Sequence, residues 1–408
     1  MSDDGVAALV ARVEAAVEAR PRSRPLRETI RTLAEAASRW RADAALAAAL
    51  PAASRLSPEM VAAATSIAAD AFDPDLMTAL VERELAPGAA ARPAPIGPTL
   101  VAQVLASNVP ALALPAIAHA CLVGAAVLVK SGRDDPLSAP AFHRALEAVD
   151  PALAATVVPA YWPGGDMERE QALLGRADVL VVTGGDRTLA ALAAHPHRDV
   201  VAHGPRFSVA FVGRRALEDP DPVAEALAFD VALHDQRGCL SPHAVYVESG
   251  GAVEPLAFAE RLAAALEGVA ARLPAGPSGV EDRARASLAA AEAEWLPGDF
   301  AFPRAGGLVI YGPSRRARPT SGLRTVRVHP LPGAERLARL LPEGAVECVG
   351  VAGIDAAPLL EALRARGVSR ICPVGRMQRP PLSWPRGQHA PLGALRGRRD
   401  GRSVQVEA

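Results

Sequence analysis

Cys239 is the residue whose type and position most clearly allow covalent chemistry. It lies in the stretch ALHDQRGCLSPHAVYVE, between a helix-like run that breaks at Gly238 and a strand-like run that follows Pro242. A thiolate is a strong nucleophile, but a cysteine packed among apolar residues is usually an inert small hydrophobe. The other three cysteines lie in apolar runs or next to a proline, at Cys121, Cys348 and Cys372. Cys239 is therefore the candidate nucleophile, with an inert cysteine in a turn as the alternative.

A second chemical signal is a glycine turn that suits a phosphate. The stretch VLVVTGGDRTLAAL is typical of a strand, a turn at Gly184 and Gly185, and a helix. Backbone N–H groups at the start of a helix bind phosphates when glycines let the ligand approach closely. The G-x-G-x-x-G fingerprint of dinucleotide-binding proteins is absent, so this turn by itself is a weak sign of a nucleotide site.

The composition is that of a folded globular protein. Of the 408 residues, 50% are hydrophobic and 22% are charged, and the formal net charge is -1. This near-neutral balance argues against a nucleic-acid partner. The cysteines show no C-x-x-C and no Cys/His cluster, which argues against a disulfide framework and against a bound metal. The acidic start MSDDGVAALVARVE and the lack of a long apolar run predict a cytoplasmic protein without membrane insertion.

Four regions of the chain differ in pattern. Residues 1–95 are rich in alanine with helical periodicity, and predict four or five helices. In residues 96–215, short strand-like runs alternate with helices, which is typical of a parallel sheet covered on both faces. Residues 216–375 continue this alternation, and residues 376–408 form an arm rich in Pro, Gly and Arg. We predict an α/β protein with N-terminal helices, a Rossmann-type nucleotide-binding domain, a catalytic α/β domain that carries Cys239, and a C-terminal arm.

Five stretches between about Val101 and Gly387 resemble one family in the expected order. They are ASNVPALALPAIAHACLVGAAVLVKS, ADVLVVTGGDRTLAAL, VVAHGPRFSVAFVG, DVALHDQRGCLSPHAVYVE and VSRICPVGRMQRPPLSWPRG. The chain resembles the acyl-CoA reductases of the bioluminescence fatty-acid reductase (LuxC-like) family, a branch of the aldehyde dehydrogenase superfamily. The resemblance implies an aldehyde dehydrogenase-like fold. It also implies that a cysteine takes the acyl group from acyl-CoA and that a nicotinamide cofactor then reduces the enzyme thioester to an aldehyde.

The resemblance implies roles for residues around the acyl group. Cys239 would be the nucleophile, and the amide of Asn108 with the Cys239 N–H would hold the oxyanion that forms during attack. His203 stands where hydrolytic relatives carry the glutamate that activates water. We therefore expect exchange with CoA rather than hydrolysis, and His203 is either a proton donor or a structural histidine.

The resemblance also implies a cofactor site. Lys130 resembles the superfamily lysine that holds the adenosine ribose, and Thr183, Gly184 and Gly185 form the turn for the phosphates. In NAD-preferring relatives a carboxylate stands three residues after that lysine. Here the residue is Arg133, a cation that favours NADPH, with NAD(H) as the alternative.

Two other enzyme classes remain open at this point: a non-acylating aldehyde dehydrogenase that oxidises an aldehyde to an acid, and a cysteine acyltransferase or thioesterase without nicotinamide. The expected partners are an acyl-CoA or acyl-carrier thioester, an acyl-transfer enzyme, and further copies of the chain in a homo-oligomer. The role of the C-terminal arm is also left open, because the stretch PRGQHAPLG after Trp384 departs from the family pattern. Trp384 and Arg376 either fold back over the site or form a subunit contact.

Overall fold

The architecture is given by a computed structural model that describes residues 5–193, 199–397 and 404–407. The strands are β1 (Leu100–Val104), β2 (Ala126–Lys130), β3 (Val157–Ala160), β4 (Val179–Thr183), β5 (Asp199–His203), β6 (Phe207–Val212), β7 (Pro242–Glu248), β8 (Phe300–Arg304), β9 (Gly307–Tyr311), β10 (Thr325–Leu331), β11 (Val346–Ala352), β12 (Arg370–Pro373) and β13 (Gln405–Val406). The helices are α1 (Val6–Glu18), α2 (Leu26–Arg41), α3 (Ala44–Ser54), α4 (Pro58–Asp70), α5 (Pro74–Glu84), α6 (Ala113–Leu122), α7 (Ser138–Val149), α8 (Pro151–Ala154), α9 (Met167–Arg169), α10 (Asp186–Ala193), α11 (Pro220–Ala232), α12 (Pro255–Arg272), α13 (Val280–Trp295), α14 (Leu337–Leu340), α15 (Leu360–Ala365) and α16 (Pro391–Leu395).

The N-terminal helices begin where the sequence supplies caps. Ser57 accepts a hydrogen bond from the Met60 N–H at the start of α4, and Asp73 accepts from the Leu76 N–H at the start of α5. A proline follows each cap, in the first helical turn, where its missing N–H costs nothing. These helices pack against the rest of the chain: α1 buries Leu9 and Val13 against the first sheet. No helix among the described residues is long and apolar enough to cross a membrane.

The first sheet is five-stranded and entirely parallel, in the order β3-β2-β1-β4-β5. Parallel strands with helical crossovers bring their carboxyl ends to one edge, where α/β proteins bind ligands. Lys130, Thr183 and His203 are the last residues of β2, β4 and β5. Three predicted site residues therefore lie along one edge of this sheet.

The second sheet has the order β13-β12-β11-β6-β7-β10-β9-β8, and its pairs are parallel except β8 with β9. Here the structure differs from the sequence prediction, which placed Phe207–Val212 with the nucleotide-binding region 96–215. This strand, β6, pairs with β7 and β11 instead. Only residues 204–206 join β5 to β6. A parallel neighbour in the same sheet needs a crossover of a dozen or more residues, so β6 starts a new sheet. The division into four domains stays a prediction.

Three successive residues before the candidate nucleophile have left-handed backbone conformations: His234 (φ 58°), Asp235 (φ 50°) and Gln236 (φ 60°). We call this segment the left-handed turn. Each such residue costs about 1–2 kcal/mol relative to an ordinary conformation when it carries a side chain. Surrounding interactions must offset that cost for the turn to persist.

Buried hydrogen bonds hold the left-handed turn. Asp235 pairs with the buried Arg324 guanidinium, with its Oδ1 3.0 Å from Nε, and accepts a 3.0 Å bond from the Gly276 N–H. The Gln236 amide donates to the carbonyls of Pro242 (2.9 Å) and Thr325 (2.7 Å), and its oxygen accepts from the Thr325 N–H (2.8 Å). The side chains of Asp235 and Gln236 therefore tie the turn to β7 and to the start of β10.

We predict that Asp235→Asn lowers the free energy of unfolding by about 3–5 kcal/mol, because it leaves the buried Arg324 cation without its counter-charge. Chemical denaturation measures the change. Glu35→Gln is the matched control, since Glu35 forms an exposed pair with Arg39 at 2.9 Å and should cost less than about 1 kcal/mol. Equal effects of the two substitutions would contradict the role given to Asp235.

Candidate active site

Cys239 lies between the left-handed turn and β7 and is held through its backbone. Its carbonyl oxygen accepts a 2.8 Å hydrogen bond from the Ser208 hydroxyl on β6. The neighbouring Ser241 N–H donates to the Gly238 carbonyl, which closes a tight turn around the cysteine. Cys239 is partly exposed, whereas Cys121, Cys348 and Cys372 are buried. Among the four thiols it is the one with access to a ligand.

Two cavities meet at Cys239. One has a volume of about 240 Å³ and the other about 770 Å³. The residues that line both are Leu105, Thr183, His203, Cys239 and Arg386. A group bound in either cavity can therefore reach the same sulfur atom.

The smaller space, which we call the apolar cavity, lies between the N-terminal helices, α6 and the C-terminal arm. Its lining from α4, α6 and the arm includes Ala64, Ile67, Ala68, Ala116, Leu382, Trp384 and Leu395. These small and apolar side chains suit a hydrocarbon group, because burying such a group removes apolar surface from water.

The larger space, which we call the basic cavity, opens along the carboxyl edge of the first sheet. Its described lining includes one carboxylate, Glu170, and six basic side chains: Lys130, Arg133, Arg187, Arg206, Arg237 and Arg386. Asn108, Thr183, Gly184 and Gly185 also line it. All the predicted cofactor residues are thus brought together with Asn108, His203 and Cys239. The excess of positive charge suits a ligand that carries several phosphates.

Lys130 extends into the basic cavity from the end of β2. Burial lowers the pKa of its ammonium group, and Glu170 opposes that shift. The ammonium also lies 5.8 Å from the centroid of the Trp162 ring. Lys130 is the only lysine in the 408-residue sequence, in which Lys and Arg together number 44. The position of the single lysine of this chain is therefore a sequence signal for the cavity, in addition to the resemblance that identified Lys130.

Arg133 lies at the rim of the basic cavity. Its side chain is 85% exposed, and its Nε is 3.6 Å from the Asp134 carboxylate. An exposed pair of this kind contributes little to stability. The guanidinium is therefore available to a phosphate at the rim.

The glycine turn leaves space where a phosphate would approach the backbone. A Cβ on Gly184 would lie 3.0 Å from the Thr188 side chain, whereas a Cβ on Gly185 would meet no heavy atom within 4 Å. The turn leads directly into α10, whose first N–H groups have no helical carbonyl to bind. These features fit the dinucleotide phosphates of a nicotinamide cofactor.

Asn108 lies on the same cavity wall as Cys239 and is exposed to it. Its Nδ2 donates a 2.7 Å hydrogen bond to the Arg237 carbonyl, which fixes the direction of the amide. An amide nitrogen has two hydrogens, so one remains to donate to an oxyanion. The catalytic role of Asn108 stays a prediction.

His203 lies at the end of β5 and lines both cavities. Burial lowers the pKa of its imidazole well below the ordinary value. The charges of Arg386, His389 and Arg206 lower this pKa further. The ring is therefore neutral at pH 7, and any proton it donates must come from a neutral N–H group. The role of His203 also stays a prediction.

The Cys239 thiol is held among opposing charges. Burial raises its pKa, the Arg386 guanidinium lowers it, and the Glu347 carboxylate raises it again. Arg206 has a smaller lowering effect on this pKa. The free thiol is consequently not activated by its position alone, and the cations around it determine how readily the thiolate forms.

The C-terminal arm folds back over the site. Trp384 lines the apolar cavity, and its Nε1 donates to the Ser369 hydroxyl at 2.9 Å. Arg376 is exposed and is not among the residues that line either cavity. Arg386, which was not singled out from the sequence, lines both cavities.

Within the described parts of the chain, no three His, Cys, Asp or Glu side chains are grouped as metal ligands.

A family model described as acyl-CoA reductase (LuxC) matches residues 22–390. The chain belongs to this family. It is 26% identical over 283 residues to the long-chain acyl-protein thioester reductase of Aliivibrio fischeri, a match that covers 67% of this chain and 57% of that protein. The match therefore extends over little more than half the length of this relative.

Solved structures of low sequence identity share the fold. An NAD-dependent aldehyde dehydrogenase from Sinorhizobium meliloti aligns with a TM-score of 0.68 at 17% identity, over 91% of this chain and 79% of that one. Indole-3-acetaldehyde dehydrogenase in complex with NAD⁺ aligns with a TM-score of 0.65 at 16% identity, over 90% of this chain and 80% of that one. The predicted aldehyde dehydrogenase-like α/β fold and the predicted family are both confirmed.

Proposed function

We propose that this protein reduces a fatty acyl thioester to the corresponding aldehyde with NADPH, through an acyl group carried on Cys239. The observation that carries the proposal is the position of Cys239, where an apolar cavity meets a basic one. An acyl chain fits the first and a phosphate-bearing cofactor fits the second. The name of the Aliivibrio relative, a long-chain acyl-protein thioester reductase, supports the same reaction class.

The proposed reaction has two stages that meet at one carbon atom. The Cys239 thiolate attacks the thioester carbonyl, a carbon–sulfur bond to Cys239 forms, and the bond to the donor thiol breaks. The departing thiolate takes a proton and leaves as the free thiol. Asn108 and the Cys239 N–H stabilise the oxyanion in this attack. In the second stage the carbon gains a hydride, and the carbon–sulfur bond to Cys239 breaks as the aldehyde forms.

The cofactor is assigned to the basic cavity. A reduced nicotinamide, when bound, supplies the hydride. Gly184, Gly185 and the first N–H groups of α10 would hold its phosphates, and Lys130 would hold the ribose. Arg133 at the rim would pair with a 2′-phosphate, which is the reason for preferring NADPH over NADH.

The alternatives fit the site less well. A hydrolytic aldehyde dehydrogenase needs a base that activates water, and a neutral His203 with a strongly lowered pKa is a weak base. An acyltransferase or thioesterase would use the six basic side chains of the basic cavity only for the phosphates of CoA. We prefer the reductase because the chain belongs to the acyl-CoA reductase (LuxC) family. The acyl donor is either acyl-CoA or an acyl-protein, and both would leave the same acyl group on Cys239. We retain homo-oligomer formation, a partner enzyme that transfers acyl groups, and a cytoplasmic location as predictions.

We predict that the protein oxidises NADPH when long-chain acyl-CoA or an acylated carrier protein is added, and that mass spectrometry detects the aldehyde. Cys239→Ala should lower aldehyde formation by about a thousandfold or more and leave the NADPH dissociation constant unchanged. Cys121→Ala is the control, since Cys121 is buried outside both cavities. Aldehyde formation that persists in Cys239→Ala would exclude this mechanism.

Arg133→Asp should weaken NADPH binding by about tenfold and leave NADH binding unchanged or slightly stronger, because a carboxylate repels the 2′-phosphate. Calorimetric titration of both cofactors measures the ratio. Arg376→Asp makes the same charge change at an exposed arm residue that lines neither cavity, and should leave the ratio unchanged. An unchanged ratio in Arg133→Asp would overturn the preference assigned to Arg133.

Ala68→Phe should raise KM for tetradecanoyl-CoA by about tenfold, with a much smaller effect on butanoyl-CoA, because the new ring occupies space in the apolar cavity. Steady-state kinetics with both substrates gives the comparison. Ala62→Phe places the same ring on the exposed face of α4 and serves as the control. If both substrates are affected equally, the acyl chain does not lie in this cavity.

A further inference from the structure

Arg386 is the cation shared by the two cavities. Its Nη1 donates a 3.2 Å hydrogen bond to the Thr183 hydroxyl at the end of β4. Among the described residues it has no carboxylate partner within ion-pair distance. Arg206, the other cation that acts on Cys239, is paired through Nε with Glu347 at 3.3 Å and donates to the Gly367 carbonyl. The charge of Arg206 is therefore compensated, and that of Arg386 is not.

The two residues that follow Arg386 are held by β11, by the end of α15 and by the segment between α15 and β12. Gly387 has φ 61°, a conformation that favours glycine, and its N–H donates a 2.9 Å bond to the buried Glu347 carboxylate. The next side chain, Gln388, donates from Nε2 to the carbonyls of Arg364 and Val368. These bonds hold the guanidinium at the junction of the cavities, since the segment that carries it cannot swing away without breaking them.

An uncompensated cation at this junction stabilises an anion that forms close to it. Several charged or titratable groups surround Cys239. They are His203 at the end of β5, Arg206 in the link to β6, His234 in the left-handed turn, Arg237 directly after it, Glu347 on β11, and Arg386 and His389 in the arm. His203 and His234 are neutral, because burial lowers the pKa of both rings. Cys239 follows the C-terminal end of α11, so the dipole of this helix does not help to stabilise a thiolate.

We propose that Arg386 is the group that stabilises the Cys239 thiolate, and that the C-terminal arm supplies the activation that the preceding helix cannot. The ionised sulfur is the anion that this guanidinium would stabilise, since Arg386 and Cys239 both line the two cavities. The proton of the thiol passes to solvent through the basic cavity. This inference deepens the proposed function, since it rests on Cys239 being the nucleophile.

The test is the pH dependence of Cys239 alkylation by iodoacetamide, in the absence of any acyl donor or nicotinamide. Mass spectrometry of the peptide that contains Cys239 gives the rate between about pH 6 and pH 10.5. Only the thiolate reacts, so each unit of increase in the thiol pKa slows the reaction about tenfold at pH 8. Arg386→Met should move the profile to higher pH and lower the rate at pH 8 by about tenfold. Arg386→Lys keeps the charge and should stay within about threefold of the wild-type rate.

Arg376→Met is the control, because it removes an exposed arginine of the same arm that lines neither cavity. Unchanged circular dichroism and an unchanged high-pH plateau would show that folding and access to Cys239 are intact. A profile for Arg386→Met that coincides with wild type, or one in which only the plateau falls, overturns the proposal. If Arg386→Met shifts the profile but the wild-type protein forms no aldehyde, the proposed reduction is wrong and the role of Arg386 is still supported.

Discussion

The left-handed turn at His234, Asp235 and Gln236 is the constraint on which the candidate active site depends. Three successive residues with side chains adopt a conformation that each avoids by about 1–2 kcal/mol. Buried bonds from Asp235 to Arg324 and from Gln236 to β7 and β10 offset that cost. They direct the chain from the end of α11 into β7 so sharply that Cys239 lies at the surface of two cavities instead of inside the core. Asp235 and Gln236 thus determine where Cys239 lies and take no part in the proposed reaction.

The second feature is the contrast between the two cavities. Small apolar residues of α4, α6 and the arm enclose one space, and basic residues along the edge of the first sheet surround the other. The contrast separates the two kinds of ligand that an acyl thioester reductase needs, while the five shared lining residues keep both within reach of one sulfur atom. The N-terminal helices, which carry none of the predicted catalytic or cofactor residues, contribute to this arrangement through α4.

The sheets also explain why the strand-like run after β5 pairs in the second sheet and not in the first. The strand-like run Phe207–Val212 looks like the next strand of the nucleotide-binding unit, because its composition is the same as that of the strands before it. The three residues between β5 and β6 are too few for a helical crossover, so β6 belongs to the second sheet. This short link brings His203, at the end of β5, close to the strand that holds the Cys239 carbonyl through Ser208.

The sequence alone determined the fold class and the family, and it identified the cysteine and several other residues that line the candidate site. Alternating strands and helices specify parallel sheets, and the stretches around Asn108, Lys130, Gly184 and Cys239 are each recognisable, because a turn or strand end is set by neighbouring residues. Tertiary structure decided what lies around those residues in space. Arg386 is 147 residues from Cys239 along the chain, so no local signal indicates that the two residues line the same cavities. The pKa directions of Cys239 and His203 likewise follow from burial and from cations on other elements, which exist only once the arm has folded over both sheets.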